Sequence, residues 1–435
     1  MRLNAYMNGI LVGRLVKQNN GAMSFTYDDS WLTHPACRPL SLSLPLHPSR
    51  HEGNRVFDFF DNLLPDAKII RDRIQARLKV SSSHPFDILK AIGRDCIGAI
   101  QLCPPDIKPN DLTVHATPLT DHEIATTLKQ FEMLPLGMMR DEEDFRISLA
   151  GAQEKMAFLY WNAQWQKPFG NTPTTHIFKL PIGQLTQHSI DLSQSCENEW
   201  LCLLIAKSMG FNVPEAEIKY FEDQKVLVVE RFDREVVTSK QTILRLPTED
   251  FCQSLGISSQ NKYENDGGPG IVECMKLLQG SEDSVKDRET FFKAQILFWL
   301  LAAIDGHAKN FSLYLQRNGY YRMTPLYDIM SAYPLFETQS IQKQKAKMAM
   351  ALRGRNAQYH WSMIQPRHFL STGKMCGLDE NKVTELLSEI AAKAMETCRK
   401  LPTNLPKDFP KNVSQPIFEG MRKKTESVLR FLEKQ

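Results

Sequence analysis

The stretch AIDGHAKNFS occupies residues 303–312 and closes an apolar run, ILFWLLAAI, at 296–304. An aspartate, a glycine, a histidine, a lysine and an asparagine lie between Asp305 and Asn310. A helix that ends in a solvated turn explains this composition, and so does a functional loop at the end of a core helix. Asp305 and Asn310 alone favour the first explanation, so the surrounding sequence has to decide.

Length and composition narrow the class of protein. A chain of 435 residues is too long for one ordinary core, which predicts two or three domains. Its 42% hydrophobic and 24% charged residues are typical of a globular protein, and a net charge of +3 gives no overall case for binding nucleic acid or membranes. The apolar run at 296–304 is far shorter than the roughly 20 residues of a membrane span, and we expect a cytoplasmic protein.

The nine cysteines form no C-x-x-C pair and have no metal-ligand spacing to a histidine, which predicts reduced thiols. Two Asn-Gly pairs, at 8–9 and 20–21, predict type I′ turns in an N-terminal β-meander. Residues 103–113 read as a proline-rich linker. We therefore predict an N-terminal β-rich subdomain (1–110), an ATP-binding portion (130–233) and a helical lobe with the catalytic loop (234–435).

Asp305 and Asn310 have the D-x-x-x-x-N spacing of a kinase catalytic loop, in which the aspartate orients a hydroxyl and the asparagine binds magnesium. A predicted hairpin with an Asn318-Gly319 turn follows, and then Asp328. Phosphotransferases of this build place a second metal-binding aspartate after such a hairpin. A capping role for Asp328 is the alternative.

Lys179 lies in the strand-like stretch HIFKLP (176–181), where it shares a face with Ile177. A lysine on an apolar face is costly unless it is paired. A phosphate-contacting lysine held by Glu199 of the following helix explains it, and a solubilising edge-strand lysine is the alternative.

Two weaker signals have the matching order along the chain. ERFDR (230–234) follows a strand, and we expect Glu230 and Phe232 to present their backbone to adenine and Asp233 to reach a ribose hydroxyl. RISLAGAQEK (146–155) is a turn of small residues whose amides would cradle phosphates. Together these signals indicate a kinase-like phosphotransferase. In chain order they are the phosphate turn, the strand lysine, the helix glutamate, the hinge at ERFDR, the catalytic loop and the later aspartate. His307 is expected to brace the loop, and Lys309 to contact phosphate.

These residues carry a resemblance to the HipA family, the serine/threonine-kinase toxins of toxin–antitoxin modules. It covers nearly the whole chain. The stretches that carry it are RPLSLSLPL (38–46), FFDNLLPD (59–66), FDILKAIGRDCIGAI (86–100), ISLAGAQEK (147–155), PTTHIFKLP (173–181), VVERFDR (228–234), YENDGGPGI (263–271), DGHAKNFS (305–312) and TPLYDIMSAYP (324–334).

The resemblance implies an α+β, protein-kinase-like bilobal fold with an N-terminal β-rich subdomain and a mostly α-helical C-terminal lobe. It implies ATP and Mg²⁺, and phosphorylation of serine on proteins. Its motif positions imply these roles: Asp305 as catalytic base, Lys179 as phosphate-binding lysine, Asn310 and Asp328 as metal ligands, Ala150, Gly151, Ala152, Gln153, Lys155, His307 and Lys309 at the nucleotide, Glu230, Phe232 and Asp233 at the adenosine, and Ser148 as the site of autophosphorylation.

The implied partners are a small HipB-like helix-turn-helix antitoxin, operator DNA mainly through that complex, and a protein substrate, in the family the glutamyl-tRNA synthetase. Two other functions stay open at this point. One is a small-molecule phosphotransferase, because D-x-x-x-x-N with a later aspartate also serves sugar and aminoglycoside kinases. The other is a binding module that acts as a co-repressor.

Overall fold

The computed structural model describes residues 1–109, 112–133, 155–185 and 190–435. Ser148, Ala150, Gly151, Ala152 and Gln153 lie outside the described residues. The helices are α1 (Asp29–Leu32), α2 (Asn54–Asp61), α3 (Lys68–Arg77), α4 (Pro85–Ile92), α5 (Asp121–Met133), α6 (Ser195–Ser208), α7 (Phe251–Leu255), α8 (Ile271–Leu277), α9 (Ser284–Leu300), α10 (Tyr333–Glu337), α11 (Pro366–Met375), α12 (Glu380–Lys400) and α13 (Lys411–Leu432).

The described residues also form twenty strands. They are β1 (Arg2–Met7), β2 (Ile10–Lys17), β3 (Met23–Tyr27), β4 (His51–Glu52), β5 (Ile100–Cys103), β6 (Ala116–Pro118), β7 (Lys155–Trp161), β8 (Gln164–Pro168), β9 (His176–Lys179), β10 (Gly183–Leu185), β11 (Ile190–Leu192), β12 (Ala216–Phe221), β13 (Gln224–Glu230), β14 (Arg234–Val237), β15 (Thr242–Arg245), β16 (Thr248–Asp250), β17 (Ser312–Leu315), β18 (Tyr321–Met323), β19 (Lys347–Arg353) and β20 (Ala357–His360).

The chain forms two compact units. Unit 1 comprises residues 1–180, 219–260 and 312–321, and unit 2 comprises residues 181–218, 261–311 and 322–435. Among the helices of the described residues, none has the length and hydropathy that a membrane crossing requires. All nine cysteines are free thiols, and seven of them are buried.

The N-terminal sheet of unit 1 has the strand order β4-β3-β2-β1-β5, with antiparallel neighbours. Asn8 and Gly9 both have positive φ, 47° and 79°, as a type I′ turn requires, so the first predicted turn is confirmed. The second prediction is wrong: only Gly21 has a positive φ, and the backbone bond from Gln18 N–H to the Ala22 carbonyl encloses three residues. Three-residue hairpin loops place a left-handed residue last, and glycine fits that position.

A second sheet has the strand order β12-β13-β9-β7-β8-β6. Its strands contain Lys155, Lys179 and Glu230, which are predicted to bind the nucleotide. Successive side chains of a strand point to opposite faces. One face buries Phe158, Phe178 and Val228 against Ile124 and Leu128 of α5. Fully burying each of these side chains contributes about 1.5–3 kcal/mol, so this face is committed to the core and the opposite face carries Lys179.

Unit 2 is built around α9, which is buried almost all round through residues such as Phe291, Phe292, Leu297 and Trp299. The amphipathic pattern of residues 379–432 predicts two helices, and these are α12 and α13. Serine is a preferred cap residue, so the sequence predicts that Ser193 or Ser195 caps α6. That prediction is wrong, because Gln194 precedes the helix and makes no side-chain cap bond.

The expectation that residues after 234 are helical apart from one hairpin is also wrong. Short strands β14, β15, β16, β19 and β20 lie in that region. Residues 348–352 read MAMAL, a sequence of good helix formers, yet they are buried within β19, which pairs with β20. Burial and strand pairing therefore override helix propensity there, since propensity differences amount to less than about 0.7 kcal/mol per residue.

An ion cluster lies inside unit 1, centred on Asp95. Its carboxylate accepts hydrogen bonds from Arg234 at 2.9 Å and Arg245 at 3.1 Å, and from the Thr174 hydroxyl at 2.8 Å. Arg231 lies 3.4 Å away, and all three guanidinium groups are buried.

Burial alone raises the pKa of Asp95, but the three guanidinium groups outweigh it and hold the pKa far below its usual value. A carboxyl whose pKa is depressed on folding contributes stability above its unfolded pKa of about 3.9. That contribution is lost only as the pH falls through the depressed value, so the cluster is intact across the neutral range.

Replacing Asp95 with asparagine should lower the free energy of unfolding of unit 1 by about 3–5 kcal/mol, because it leaves buried guanidinium charge without its main partner. Urea denaturation followed by circular dichroism measures the loss. The control is Asp72→Asn, which removes an exposed pair with Lys68 on α3 and should cost about 0.5 kcal/mol or less. Equal losses for the two variants would contradict the central place of Asp95.

Candidate active site

The loop that follows α9 in unit 2 is pressed against the helix. A Cβ atom on Gly306 would lie 2.2 Å from the Phe298 ring, closer than any real contact, so only glycine fits there. Ile304 accepts a backbone bond from Ala349 N–H at 2.9 Å. Asp305 is nonetheless exposed, whereas residues 306–310, which follow it in the loop, are buried.

The structure brings Asn310 and Asp328 together, although they lie 18 residues apart in sequence. The amide nitrogen of Asn310 is 3.4 Å from an Asp328 carboxylate oxygen and 3.3 Å from the Asp328 backbone carbonyl. Asp328 has a φ of +58°, a left-handed conformation that few residues other than glycine adopt. Such conformations cluster at functional sites, where the surrounding structure holds them in place.

This pair suits magnesium, which takes oxygen ligands and is usually held by one or two carboxylates together with substrate phosphates. Asp328 offers a carboxylate and Asn310 an amide oxygen, which has two lone pairs and accepts from His307 N–H at 3.2 Å. Within the described ranges no group of three or more histidine, cysteine, aspartate or glutamate side chains is arranged for a metal. The donor set therefore fits an ion that shares its coordination with a substrate.

His307 and Lys309 are both buried, at 6% and 7% exposure. The His307 carbonyl accepts from Asn310 N–H at 2.9 Å, and the Lys309 carbonyl accepts from the Tyr327 hydroxyl at 2.8 Å. Their backbone carbonyls therefore take part in the hydrogen bonds of the loop, and the bracing role of the His307 side chain stays a prediction.

Tyr263 is a residue of this site that the sequence argument missed. Its hydroxyl donates to Asp305 at 2.6 Å, and its ring packs edge-on against His307 with centroids 5.0 Å apart. The only sequence signal was its place at the start of the glycine-rich stretch 263–271, which gives no indication of a contact 42 residues away.

Two lysines lie side by side on neighbouring strands of the second sheet of unit 1. Lys155 of β7 is the direct register partner of Lys179 of β9, and Leu227 of β13 is the partner on the other side. Like charges placed opposite each other weaken a sheet, and Lys179 is only 5% exposed. The pair sets two cationic side chains in register on one face of the sheet, and lysine is a common phosphate-binding residue.

Beside the lysine pair, the next ladder on the same face is apolar: Ala157 pairs with Ile177, which pairs with Val229. Glu230 ends β13 in register with His176 and is exposed. The face therefore runs from a charged end to an apolar end.

The stretch ERFDR (230–234) is the predicted hinge, and its residues have different surroundings. The Phe232 carbonyl accepts from the Tyr314 hydroxyl at 2.9 Å. Asp233 is buried in the ion cluster, where it accepts from Arg231 at 2.8 Å, Arg234 at 2.9 Å and Gly98 N–H at 2.7 Å. Its carboxylate serves that cluster, and contact with a ribose would require it to leave these donors.

Glu199, the predicted partner of Lys179, is 3% exposed on α6 of unit 2. Its neighbour Glu197 is buried as well, at 5% exposure. The ion pair between Glu199 and Lys179 stays a prediction.

The protein named "Putative kinase Y4mE" of Sinorhizobium fredii is 33% identical over 339 residues, which cover 76% of this chain and 78% of that protein. The "Serine/threonine-protein kinase toxin HipA" of Shewanella oneidensis is 28% identical over 355 residues, covering 78% and 77%. A solved complex of Shewanella oneidensis HipA with HipB and operator DNA superimposes with a TM-score of 0.82 at 24% identity, over 99% of this chain and 98% of that one.

The family models agree along the sequence. The HipA N-terminal domain matches residues 3–103, and the HipA-like C-terminal domain matches residues 147–398, more than half of the chain. The chain therefore belongs to the HipA family and has its kinase-like α+β fold.

Proposed function

We propose that this protein is an ATP- and Mg²⁺-dependent serine/threonine protein kinase that acts as the toxin of a toxin–antitoxin pair. The observation that carries the proposal is in unit 2, where Asn310 lies 3.4 Å from Asp328 and Asp305 precedes Asn310 by the spacing of a kinase catalytic loop. Membership of the HipA family supports it, since relatives bear the names of kinases and of a kinase toxin.

Unit 1 supplies the chemistry for holding a nucleotide. A purine is apolar and its phosphates are anionic, and the face of the second sheet has the same polarity: the ladder Ala157–Ile177–Val229 is apolar, and Lys155 and Lys179 are cationic. Lys179 is the phosphate-binding lysine of this proposal, and Glu199 its partner. Lysine binds phosphate as a compact point charge with three donors.

In unit 2, Asp305 would orient the acceptor hydroxyl and take its proton as the hydroxyl oxygen bonds to the γ-phosphorus of ATP and the bond from that phosphorus to the leaving ADP oxygen breaks. Asn310 and Asp328 would hold Mg²⁺, and Lys309 would contact phosphate. The ion, when bound, neutralises charge that develops on the transferring phosphoryl group. The packing of Gly306 on Phe298 keeps the position of Asp305 constant, which matters because misplacement by about 1 Å costs on the order of 100-fold in rate.

The partners proposed are a HipB-like antitoxin, operator DNA bound mainly through that antitoxin, with co-repression of the operon, and a translation protein of the aminoacyl-tRNA synthetase class as substrate. The solved complex of the Shewanella oneidensis relative, which contains HipA, HipB and operator DNA, supports the first two. The substrate class rests on the family resemblance alone.

Asp305→Asn should abolish phosphate transfer, because the amide cannot accept the hydroxyl proton. The purified protein is incubated with MgATP, and each added phosphate is located by intact mass and peptide mapping. The control is Asp408→Asn, an exposed aspartate between α12 and α13, which should leave transfer unchanged. Equal phosphorylation by the Asp305 variant and the wild type would exclude this base, and phosphorylation of sugars or aminoglycosides alone would favour a small-molecule phosphotransferase.

Asp328→Asn tests the metal site without disturbing the backbone, because asparagine also tolerates a positive φ. Removing the carboxylate should lower the transfer rate by about 100-fold or more and raise the Mg²⁺ concentration that gives half-maximal rate. A magnesium titration of the initial rate measures both. An unchanged magnesium requirement would remove Asp328 from the metal site.

Ser148 is the proposed site of autophosphorylation, and it lies outside the described residues. A phosphate there adds about −1.5 to −2 charge where nucleotide phosphates would bind, and we expect it to switch the enzyme off. Ser148→Ala should therefore keep phosphorylating an added protein substrate after the wild type has stopped, with no phosphate in peptides covering 146–155. Self-inactivation of the alanine variant at the wild-type rate would contradict the switch.

A further inference from the structure

A hydrogen bond joins Tyr263 to Asp305, the base of the proposed phosphotransfer reaction. Asp305 is exposed on a loop, so nothing about its own burial selects one rotamer of its carboxylate. The Tyr263 hydroxyl donates to one carboxylate oxygen at 2.6 Å, a short bond of the kind formed with charged acceptors. The bond restricts the direction in which the carboxylate points.

The next residue in sequence, Glu264, fixes the backbone beside Tyr263. Glu264 forms an ion pair with Arg353, and its other carboxylate oxygen accepts from Ala351 N–H at 2.6 Å. The Glu264 side chain is only 8% exposed, which makes breaking these bonds costly. The backbone next to Tyr263 is thereby tied to β19.

The residue before the tyrosine ties the same segment to the catalytic loop. The Lys262 carbonyl accepts from Ala308 N–H at 3.4 Å. The Tyr263 ring packs edge-on against buried His307, with an interplanar angle of 83°. The phenol is therefore constrained by its ring and by both neighbours in sequence, and its hydroxyl is a fixed point from which Asp305 is oriented.

A carboxylate has two oxygens and about four acceptor positions, so Asp305 can accept from Tyr263 and from a substrate hydroxyl at the same time. We propose that Tyr263 is a positioning residue, which orients the Asp305 carboxylate towards the acceptor hydroxyl. This inference rests on the proposed kinase function. It assigns no contact between Tyr263 and either substrate.

Tyr263→Phe removes one oxygen atom and keeps the ring that packs on His307. We expect kcat to fall about 10-fold, because one hydrogen bond to a charged group is lost. The KM for MgATP and the midpoint of urea denaturation should not change, since neither nucleotide binding nor packing depends on the hydroxyl. Initial rates of phosphate transfer at varied MgATP separate kcat from KM.

The matched control is Tyr320→Phe, which removes the same atom from an exposed tyrosine of the β17–β18 hairpin and should leave kcat unchanged. Tyr263→Ala, which also removes the ring, should be at least as slow as the phenylalanine variant.

Three results with Tyr263→Phe would overturn the positioning role. Wild-type kcat would show that the hydroxyl does nothing, and a higher kcat would show that the phenol competes with the acceptor. A lower kcat together with a raised KM for MgATP or a lower denaturation midpoint would show structural support only. No transfer by the wild type, under conditions where it is folded, would overturn the proposed kinase function itself and this inference with it.

Discussion

Three buried arginines surround one aspartate inside the first unit of this protein and join segments that are far apart in sequence. Arg231 and Arg234 lie on either side of Phe232 and Asp233 in sequence. Thr174 lies two residues before the start of β9. All of them bond to Asp95 or to one another, with Asp233 as the second carboxylate. Charges in a buried site demand close partners, so the cluster determines where the hinge-like segment and the start of β9 lie.

A steric constraint has the comparable place in the second unit. Gly306 has no room for a Cβ against Phe298, so the loop begins at a position that the core helix α9 determines. Three hydrogen bonds then hold the loop that starts there. Asn310 bonds to Asp328, the Tyr327 hydroxyl donates to the Lys309 carbonyl, and the Tyr263 hydroxyl donates to Asp305. Rigid support of this kind is what catalysis by orientation requires, because positioning supplies much of the rate.

Sequence reasoning was most effective where local chemistry decides the outcome. Asn8-Gly9 formed the predicted turn because both residues tolerate positive φ. Asn310 lies beside Asp328, and their role as metal ligands stays a prediction. Sequence reasoning failed at β19, where good helix formers lie in a buried strand, and at the cap of α6. In these places packing between distant segments outweighs local preference.

The sequence by itself determined the family, the order of the motifs and the candidate residues Asp305, Asn310, Asp328 and Lys179, because spacing along the chain and residue chemistry are local properties. Tertiary structure alone decided which partners these side chains contact. It committed Asp233 to buried arginines, set Lys155 opposite Lys179, and brought Tyr263 onto Asp305. Those partners are separated by up to 42 residues, and only the folded chain, by excluding water and satisfying buried charge, selects among the many contacts that the sequence permits.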